Sequence, residues 1–130
     1  MAVALKSLVV KGCTLQLSAG TAQKIKITND PSKKVKCDGK ETYFDKIVFE
    51  IKNYTGTNIT NGDGMAEGCI ISGSAQSVFV EGGSALLEND ESEEITVIGT
   101  QPAPGGGSRP AQDIITVKVS NAGQSKVKGS

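Results

Sequence analysis

Three cysteines are the residues of this 130-residue chain that most clearly invite a chemical interpretation. Cys13, Cys37 and Cys69 each lie near the end of a predicted strand and beside a glycine turn. Their spacings contain no Cys-x-x-Cys pair, the usual signature of a zinc site. Two interpretations stay open: small buried apolar residues, as free cysteines often are, or three thiolates around one zinc ion, with water or Asp38 as the fourth ligand. An odd number of cysteines favours a reducing compartment over a disulfide framework.

Histidine is absent from the chain. This excludes nucleophilic systems that depend on a histidine base, and zinc or iron sites with histidine ligands. A catalytic pair of carboxylates would need one buried member with a raised pKa. The crowded acidic segment is better interpreted as a charged turn that discourages edge-to-edge strand pairing, so we predict that the protein is not an enzyme. That segment contains Glu88, Asp90, Glu91, Glu93 and Glu94.

The charges balance, with 14 Lys and Arg residues against 14 Asp and Glu residues. A nucleic-acid binder or a polybasic membrane-surface protein needs a basic surplus, so neither class fits. No apolar run approaches the ~20 residues of a transmembrane helix. The apolar first ten residues are interrupted by Lys6 and no cleavage-site pattern comes after them, so no signal peptide is predicted.

Alternation of apolar and polar residues dominates the sequence and is typical of half-buried strands. It is clearest over Lys24–Ile27, Ile47–Ile51, Ile95–Val97 and Ile115–Val119, with glycine, asparagine and proline turns between such runs. We therefore predict an all-β fold of eight or nine short antiparallel strands joined by tight glycine turns. Gly12–Ala19 and Gly68–Ala75 share Gly-Cys and Ser-Ala at the same spacing, which indicates either two related β units or chance in a glycine- and serine-rich chain.

Composition divides the chain into three parts. Residues 1–100 are predicted to form one β domain. Residues 101–112 contain three of the four prolines and three consecutive glycines, which is typical of a linker or long surface loop. Residues 113–130 are predicted to form a C-terminal strand that packs back on the body or on a partner, followed by a polar tail that frays.

One segment, Val78–Asp90, resembles a degenerate copy of the PAAR-repeat motif. Gly82, Ala85 and Asp90 match the family pattern, in which an alternating strand leads to Gly, Lys, Pro, Ala, Ala, Arg and a later Asp. Four positions depart from it: Gly83 replaces the Lys, Ser84 the Pro, Leu86 the second Ala and Leu87 the Arg. Upstream, Gly68–Ser74 is similar to the small-residue segment that precedes this strand, and Val35–Lys40 resembles PAAR-like tip proteins.

The resemblance, which covers roughly residues 12–99, implies a small conical β fold. It implies a structural tip that sits as one copy on a trimeric β-helical spike of a contractile injection machine: a phage tail, a type VI secretion system or an extracellular injection particle. Such a tip is assembled in the cytoplasm, touches the target membrane transiently as it pierces the envelope, and sometimes carries effector cargo. Many members hold zinc near the apex through three histidines and one cysteine. Without histidine, this chain is expected to bind either no cofactor or one structural zinc through its cysteines.

The alternative function is a generic β-sandwich binding module, or a structural protein of a virion or cell surface. A docked tip predicts a pseudo-threefold base with an apolar patch, whereas a free-standing sandwich predicts two sheets and no such patch. Both alternatives lack a catalytic group.

Overall fold

The computed structural model describes residues 5–130, which contain strands, turns and bridges but no helix. The all-β prediction is therefore confirmed, and no helix within this range is long and apolar enough to cross a membrane. The strands in chain order are β1 (Lys6–Ser7), β2 (Thr14–Leu17), β3 (Thr21–Ile27), β4 (Ser32–Cys37), β5 (Lys40–Thr42), β6 (Lys46–Thr55), β7 (Gly64–Ser72), β8 (Phe79–Val80), β9 (Gly83–Ser84), β10 (Ile95–Pro102), β11 (Ser108–Ile115), β12 (Val117–Asn121) and β13 (Lys128–Gly129).

The largest element is a five-stranded antiparallel sheet in the order β11-β10-β7-β6-β3. Alternation along β6 buries Ile47, Phe49 and Ile51 completely, while the residues between them stay partly exposed. The inner face of this sheet and strand β12 build the main hydrophobic core. Burial of such side chains stabilises a fold by about 1.5–3 kcal/mol each, which is why the alternating pattern fixes the sheet faces.

The other strands pair as four two-stranded ribbons: β1 with β13, β2 with β12, β4 with β5, and β8 with β9. A second, smaller hydrophobic cluster lies among them and includes the motif residues Val80, Ala85 and Leu87. It also contains Cys37 and Val10. The segment 78–90 thus contributes to both clusters, because its Leu86 belongs to the main core.

Tyr54 is fully buried and is surrounded by glycines. A Cβ atom at Gly56 would lie 2.5 Å from the Tyr54 hydroxyl, and one at Gly64 would lie 2.8 Å from the Tyr54 Cβ atom. Gly20 is also too close to the hydroxyl to carry a side chain. Tyr54 therefore occupies volume that side chains would take at three other positions.

Two β-bulges interrupt the pairing of β6 with β7. The register shifts between the pairs Phe49↔Cys69 and Ile51↔Ala66, and shifts again before Tyr54↔Gly64. Positive φ angles mark both places, at Gly68 (65°) and Asn53 (54°). Because a bulge bends its strand and increases the local twist, β7 changes direction at Gly68.

The prediction of a linker over 101–112 is wrong. Its residues end β10 and begin β11, and the two strands pair in unbroken register from Ile95↔Ile115 to Pro102↔Ser108. Only 103–107, a glycine-rich turn, separates them. Pro110 is tolerated because β11 is the edge strand of the sheet, where a missing N–H need not leave a ladder partner unpaired.

The predicted fraying of the polar tail is also wrong. Ala122 is fully buried, and the buried Gln124 side chain donates hydrogen bonds of 2.8 Å to the carbonyl groups of Leu8 and Val127. Strand β13 then pairs with β1. The segment 113–130 therefore contains the end of β11, two further strands and a tightly bonded turn, because side-chain amides replace the missing apolar contacts.

The two copies of the apparent repeat take unequal positions. Gly12-Cys13 precedes β2, which pairs only with β12, whereas Gly68-Cys69 lies inside the central strand β7. Both glycines do have positive φ angles, 96° at Gly12 and 65° at Gly68. The shared residues thus reflect the same local backbone conformation, while the strands that they lead into are not structurally equivalent.

Candidate functional site

Asp90 organises the segment that resembles the PAAR motif. Its side chain is 7% exposed and accepts three hydrogen bonds. The N–H of Leu87 donates to it at 2.9 Å, the N–H of Ser74 donates at 3.2 Å, and the Ser74 hydroxyl donates to the other carboxylate oxygen. Ala75 strengthens the same connection by donating from its N–H to the carbonyl of Ala85 at 3.2 Å. The small-residue segment and the motif strand are thereby one hydrogen-bonded unit.

The predicted tight turn at Gly82 is confirmed. Strands β8 and β9 form a hairpin with the register Phe79↔Ser84 and Val80↔Gly83, so Glu81 and Gly82 are its two loop residues. Both have positive φ angles, 48° at Glu81 and 85° at Gly82. Positive φ at both loop positions is the requirement of a type I′ hairpin turn, which favours Asn-Gly or Asp-Gly.

Gly83 and Ala85 serve close packing instead of turn geometry. A Cβ atom at Gly83 would lie 2.9 Å from the Cβ atom of Asp45. Ala85 is fully buried and forms an isolated bridge with Phe44. The three matched positions therefore have identifiable structural roles: Gly82 in the turn, Ala85 in close packing and Asp90 as a hydrogen-bond acceptor.

The structure does not bring the three cysteines together. Cys13 and Cys69 pack against the main core, whereas Cys37 belongs to the second cluster, where the Thr42 hydroxyl donates to its sulfur at 3.3 Å. Residues 5–130 contain no group of three potential metal ligands that includes these cysteines, Asp38 or any other acidic residue. Burial raises the pKa of the Cys13 thiol to about 11 and also raises the pKa of Cys69, so both favour the neutral form.

The acidic segment is only partly a solvated turn. Besides the buried Asp90, Glu88 accepts a hydrogen bond from the N–H of Ala122 at 3.0 Å. Glu91 accepts one from the Thr116 hydroxyl at 3.0 Å. These bonds fasten the segment to the residues that directly precede and follow β12. Glu93 and Glu94 are exposed and line a groove between β7 and β10.

This groove has a volume of about 1070 Å³. Strands β7 and β10 are neighbours in the sheet, yet they pair only at Met65↔Ile98 and diverge beyond it. Apolar and acidic side chains share the lining: Met65, Ile70, Ile98, Glu67, Glu91, Glu93 and Glu94 are among its residues. The sequence contained signals for the apolar residues, but not for the divergence, which results from the bulge at Gly68.

Two further carboxylates make hydrogen bonds that the sequence did not predict. Asp113 is buried and accepts hydrogen bonds from the N–H groups of Asn58 and Ile59, the latter at 2.9 Å. Asp63 accepts bonds from both the N–H and the hydroxyl of Thr100, which lowers the pKa of Asp63. Both fasten loop residues to strands β10 and β11. An aspartate next to a turn glycine, as in Asn61–Gly64, is the only sequence signal for the second.

Comparison of the chain with protein families, curated proteins and solved structures finds no match. The function must therefore be inferred from the fold and from side chains such as Asp90, Ser74 and the groove glutamates.

Proposed function

We propose that this protein is a structural tip of a contractile injection machine, which caps a trimeric β-helical spike and touches the target membrane transiently when the machine contracts. In this proposal it acts without a catalytic group. It is assembled in the cytoplasm as one copy per spike trimer and then carried at the end of the particle. The proposal requires neither a metal nor an attached effector.

The observation that carries the proposal is the connection between Asp90 and Ser74. The resemblance to the PAAR motif comprises two separate stretches, Gly68–Ser74 and Val78–Asp90. In the fold these stretches are joined by the hydrogen bonds of the matched aspartate, and the matched Gly82 forms the β8–β9 hairpin turn within the second stretch. Matched residues with linked structural roles support a shared architecture better than short sequence similarity alone.

The mechanical demands of a piercing tip agree with the rest of the fold. Residues 5–130 have no helix, nearly all connections are short, and the C-terminal segment is fixed by Gln124 and by β13. Because the strands are hydrogen-bonded and pack on buried clusters, few segments can unfold locally. A partner that covers part of the surface would add further stability by binding only the folded form.

An exposed apolar face of the sheet bears on both the spike-tip function and the alternative of a general β binding module in a virion or surface assembly. The outer face of the five-stranded sheet exposes four apolar side chains, at Met65 (47%), Ile70 (44%), Ile98 (63%) and Ile114 (58%). Grouped exposed apolar residues are a common feature of interaction surfaces. This face is compatible with either function, so only identification of the partner separates them.

The test is reconstitution with a trimeric β-helical spike protein from the same organism. The two proteins are co-expressed, and the purified complex is weighed by native mass spectrometry. We expect one copy of this chain per three spike chains, and no complex with an unrelated trimeric β-helical protein. A stable homodimer or homotrimer without affinity for the spike would contradict the spike-tip function and favour the general binding module.

A further inference from the structure

The groove between β7 and β10 has backbone groups on its walls that no other strand uses. On the β3 side of β6, the N–H of Val48 donates to Asn29 at 2.8 Å and its carbonyl accepts from the N–H of Thr28 at 2.8 Å. Val48 therefore makes no backbone bond to Ile70, its partner on β7. Because antiparallel positions alternate between bonded and non-bonded pairs, the N–H and carbonyl of Ile70, and of Ser72 two residues on, point away from β6 into the groove.

The opposite wall presents the same kind of edge. Thr100 directs its N–H to Asp63 at 2.8 Å and its carbonyl to the N–H of Asn61 at 3.3 Å, both away from β11. The register of β10 with β11 is unbroken from Ile95 to Pro102. By the same alternation, Thr96 points its N–H and carbonyl away from β11 toward β7. Beyond the single pair Met65↔Ile98, neither strand has a pairing partner on this side within residues 5–130.

From these two edges we infer that the groove binds an extended segment of a partner protein, which adds to the sheet as a strand and carries lysine or arginine side chains. Strand addition satisfies exposed edge groups by backbone hydrogen bonds, while side-chain pockets supply specificity. The apolar lining at Met65, Ile70 and Ile98 suits the alternate side chains of such a segment. This inference is independent of the spike-tip function, because it depends only on the geometry of β7 and β10.

The negative charge of the groove lining indicates that the bound segment is basic. Four glutamates line the groove, Glu67, Glu91, Glu93 and Glu94, and none of them has a salt bridge within residues 5–130. Glu91 pairs with Lys118 across an isolated β-bridge. Within residues 5–130, Lys118 is the one basic residue that a strand or bridge pair places opposite any of these four glutamates. A basic segment gains from this acidic lining, whereas an acidic segment is repelled by it.

The two outer edges of the same sheet are poorer sites for such a segment. Strand β3 carries Lys24 and Lys26, which repel a basic chain. Strand β11 contains Pro110, which lacks the N–H that a new strand would need. The groove is therefore the edge whose chemistry complements a basic extended segment.

The test uses a fluorescent Lys-Val-Lys-Val-Lys-Val peptide, acetylated and amidated at its ends, with the Glu-Val counterpart as control. Fluorescence anisotropy should show saturable binding of the basic peptide and none of the acidic one. The double variant Glu93→Gln with Glu94→Gln should weaken binding roughly fivefold to tenfold, which corresponds to about 1–1.4 kcal/mol for the two exposed charges together. The matched double variant Glu41→Gln with Glu81→Gln has the same net charge but lies outside the groove, so its affinity should stay within twofold of the unmodified protein.

Apolar contact and strand pairing are tested separately. Ile98→Thr should weaken binding, whereas Ile114→Thr, an equally exposed isoleucine on the neighbouring strand and outside the groove lining, should leave it unchanged. Hydrogen exchange in the bound state should slow at the amides of Ile70, Ser72 and Thr96. Absence of binding, equal losses in both glutamate double variants, or protection confined to β3 or β11 would each overturn the inference.

Discussion

Asp90 accepts hydrogen bonds from both the backbone N–H and the hydroxyl of Ser74, a residue 16 positions earlier in the chain. A single carboxylate thereby closes the loop that contains the β8–β9 hairpin. It also accepts a bond from the N–H of Leu87, so three donors depend on one buried side chain. The stability of this unit should respond to Asp90 more than to any other acidic residue of the motif.

Substitution of Asp90 by asparagine should destabilise the protein. The amide keeps the shape of the side chain but replaces one acceptor oxygen by a donor, which leaves at least one of the three buried donors unpaired. The expected loss is about 1–3 kcal/mol in the free energy of unfolding, measured by urea titration. Asp30→Asn at an exposed position serves as the control and should change stability by less than about 0.5 kcal/mol. Equal effects of both substitutions would contradict a special role for Asp90.

The hairpin turn predicts opposite effects at adjacent positions. Glu81→Asn should raise the melting temperature, because asparagine tolerates the positive φ of 48° at which glutamate is held. Gly82→Val should lower it, because φ is 85° there and a β-branched residue in that region costs about 1 kcal/mol or more. Thermal unfolding followed by circular dichroism measures both. A neutral Gly82→Val variant would rule out the turn geometry.

The Asp63–Thr100 bonds predict a pH-dependent contribution to stability. Hydrogen bonds from Thr100 lower the pKa of Asp63 from its ordinary value of 3.8. The folded state therefore gains stability from the ionised carboxylate above that ordinary value and loses it as pH falls through the lowered folded value. Urea unfolding of the protein and of Asp63→Asn should differ at pH 7 and converge toward pH 2. A difference that persists unchanged into acid would show that the carboxylate charge is not involved.

Thiol reactivity tests the placement of the cysteines. Burial raises the pKa of Cys13 to about 11, which cuts its thiolate fraction at pH 8 about a hundredfold compared with an ordinary thiol. The greater nucleophilicity of a more basic thiolate offsets part of this loss. We expect Cys13 in the folded protein to react with DTNB about tenfold more slowly than in urea, with single-cysteine variants resolving the sites. A variant that retains only Cys13 and reacts as fast when folded as in urea would contradict this.

The β10–β11 hairpin predicts how the protein responds to a nonspecific protease. The exposed turn 103–107 should be cut first, since its glycines at 105, 106 and 107 all have positive φ and the space beside them is open. Both fragments should remain together on gel filtration, because eight paired positions join β10 to β11. Loss of the C-terminal fragment after cleavage would show that residues 113–130 are not docked as the structure has them.

Local alternation predicted strands such as β6, whose side chains have one buried face, as Ile47, Phe49 and Ile51 show, but it did not predict β7 in the middle of the sheet. Composition wrongly predicted a linker around Pro102 and Pro110. A count of prolines does not show whether the missing N–H groups face a paired strand. Both residues occupy positions equivalent to Thr100 in the β10–β11 alternation, so their missing N–H groups point away from the paired edge. The groove could not be predicted for a related reason. The positive φ at Gly68 changes the direction of β7, and an alternating pattern does not show the direction of a strand.

The residues of the candidate site likewise divide into those that the sequence could predict and those that it could not. Gly82 was predictable because a tight turn has a local signature, whereas the bonds from Ser74 to Asp90 depend on how two segments fold together. The hypothesis that Cys13, Cys37 and Cys69 meet at one site concerned contacts between distant parts of the chain. It was based only on a local similarity, because each cysteine lies beside a glycine turn. Their separation into two hydrophobic clusters could be learned only from the fold.

The packing around Tyr54 has an evolutionary consequence. A Cβ atom at Gly64 would lie 2.8 Å from the Cβ atom and 2.9 Å from the backbone oxygen of Tyr54, and one at Gly56 would lie 2.5 Å from the Asp113 carboxylate as well as from the tyrosine hydroxyl. A smaller residue at position 54 therefore leaves both positions closed to side chains. Gly20 is fixed for a further reason, since its φ of 73° disfavours side chains by itself. In homologous sequences these three positions should stay glycine even in lineages where position 54 changes.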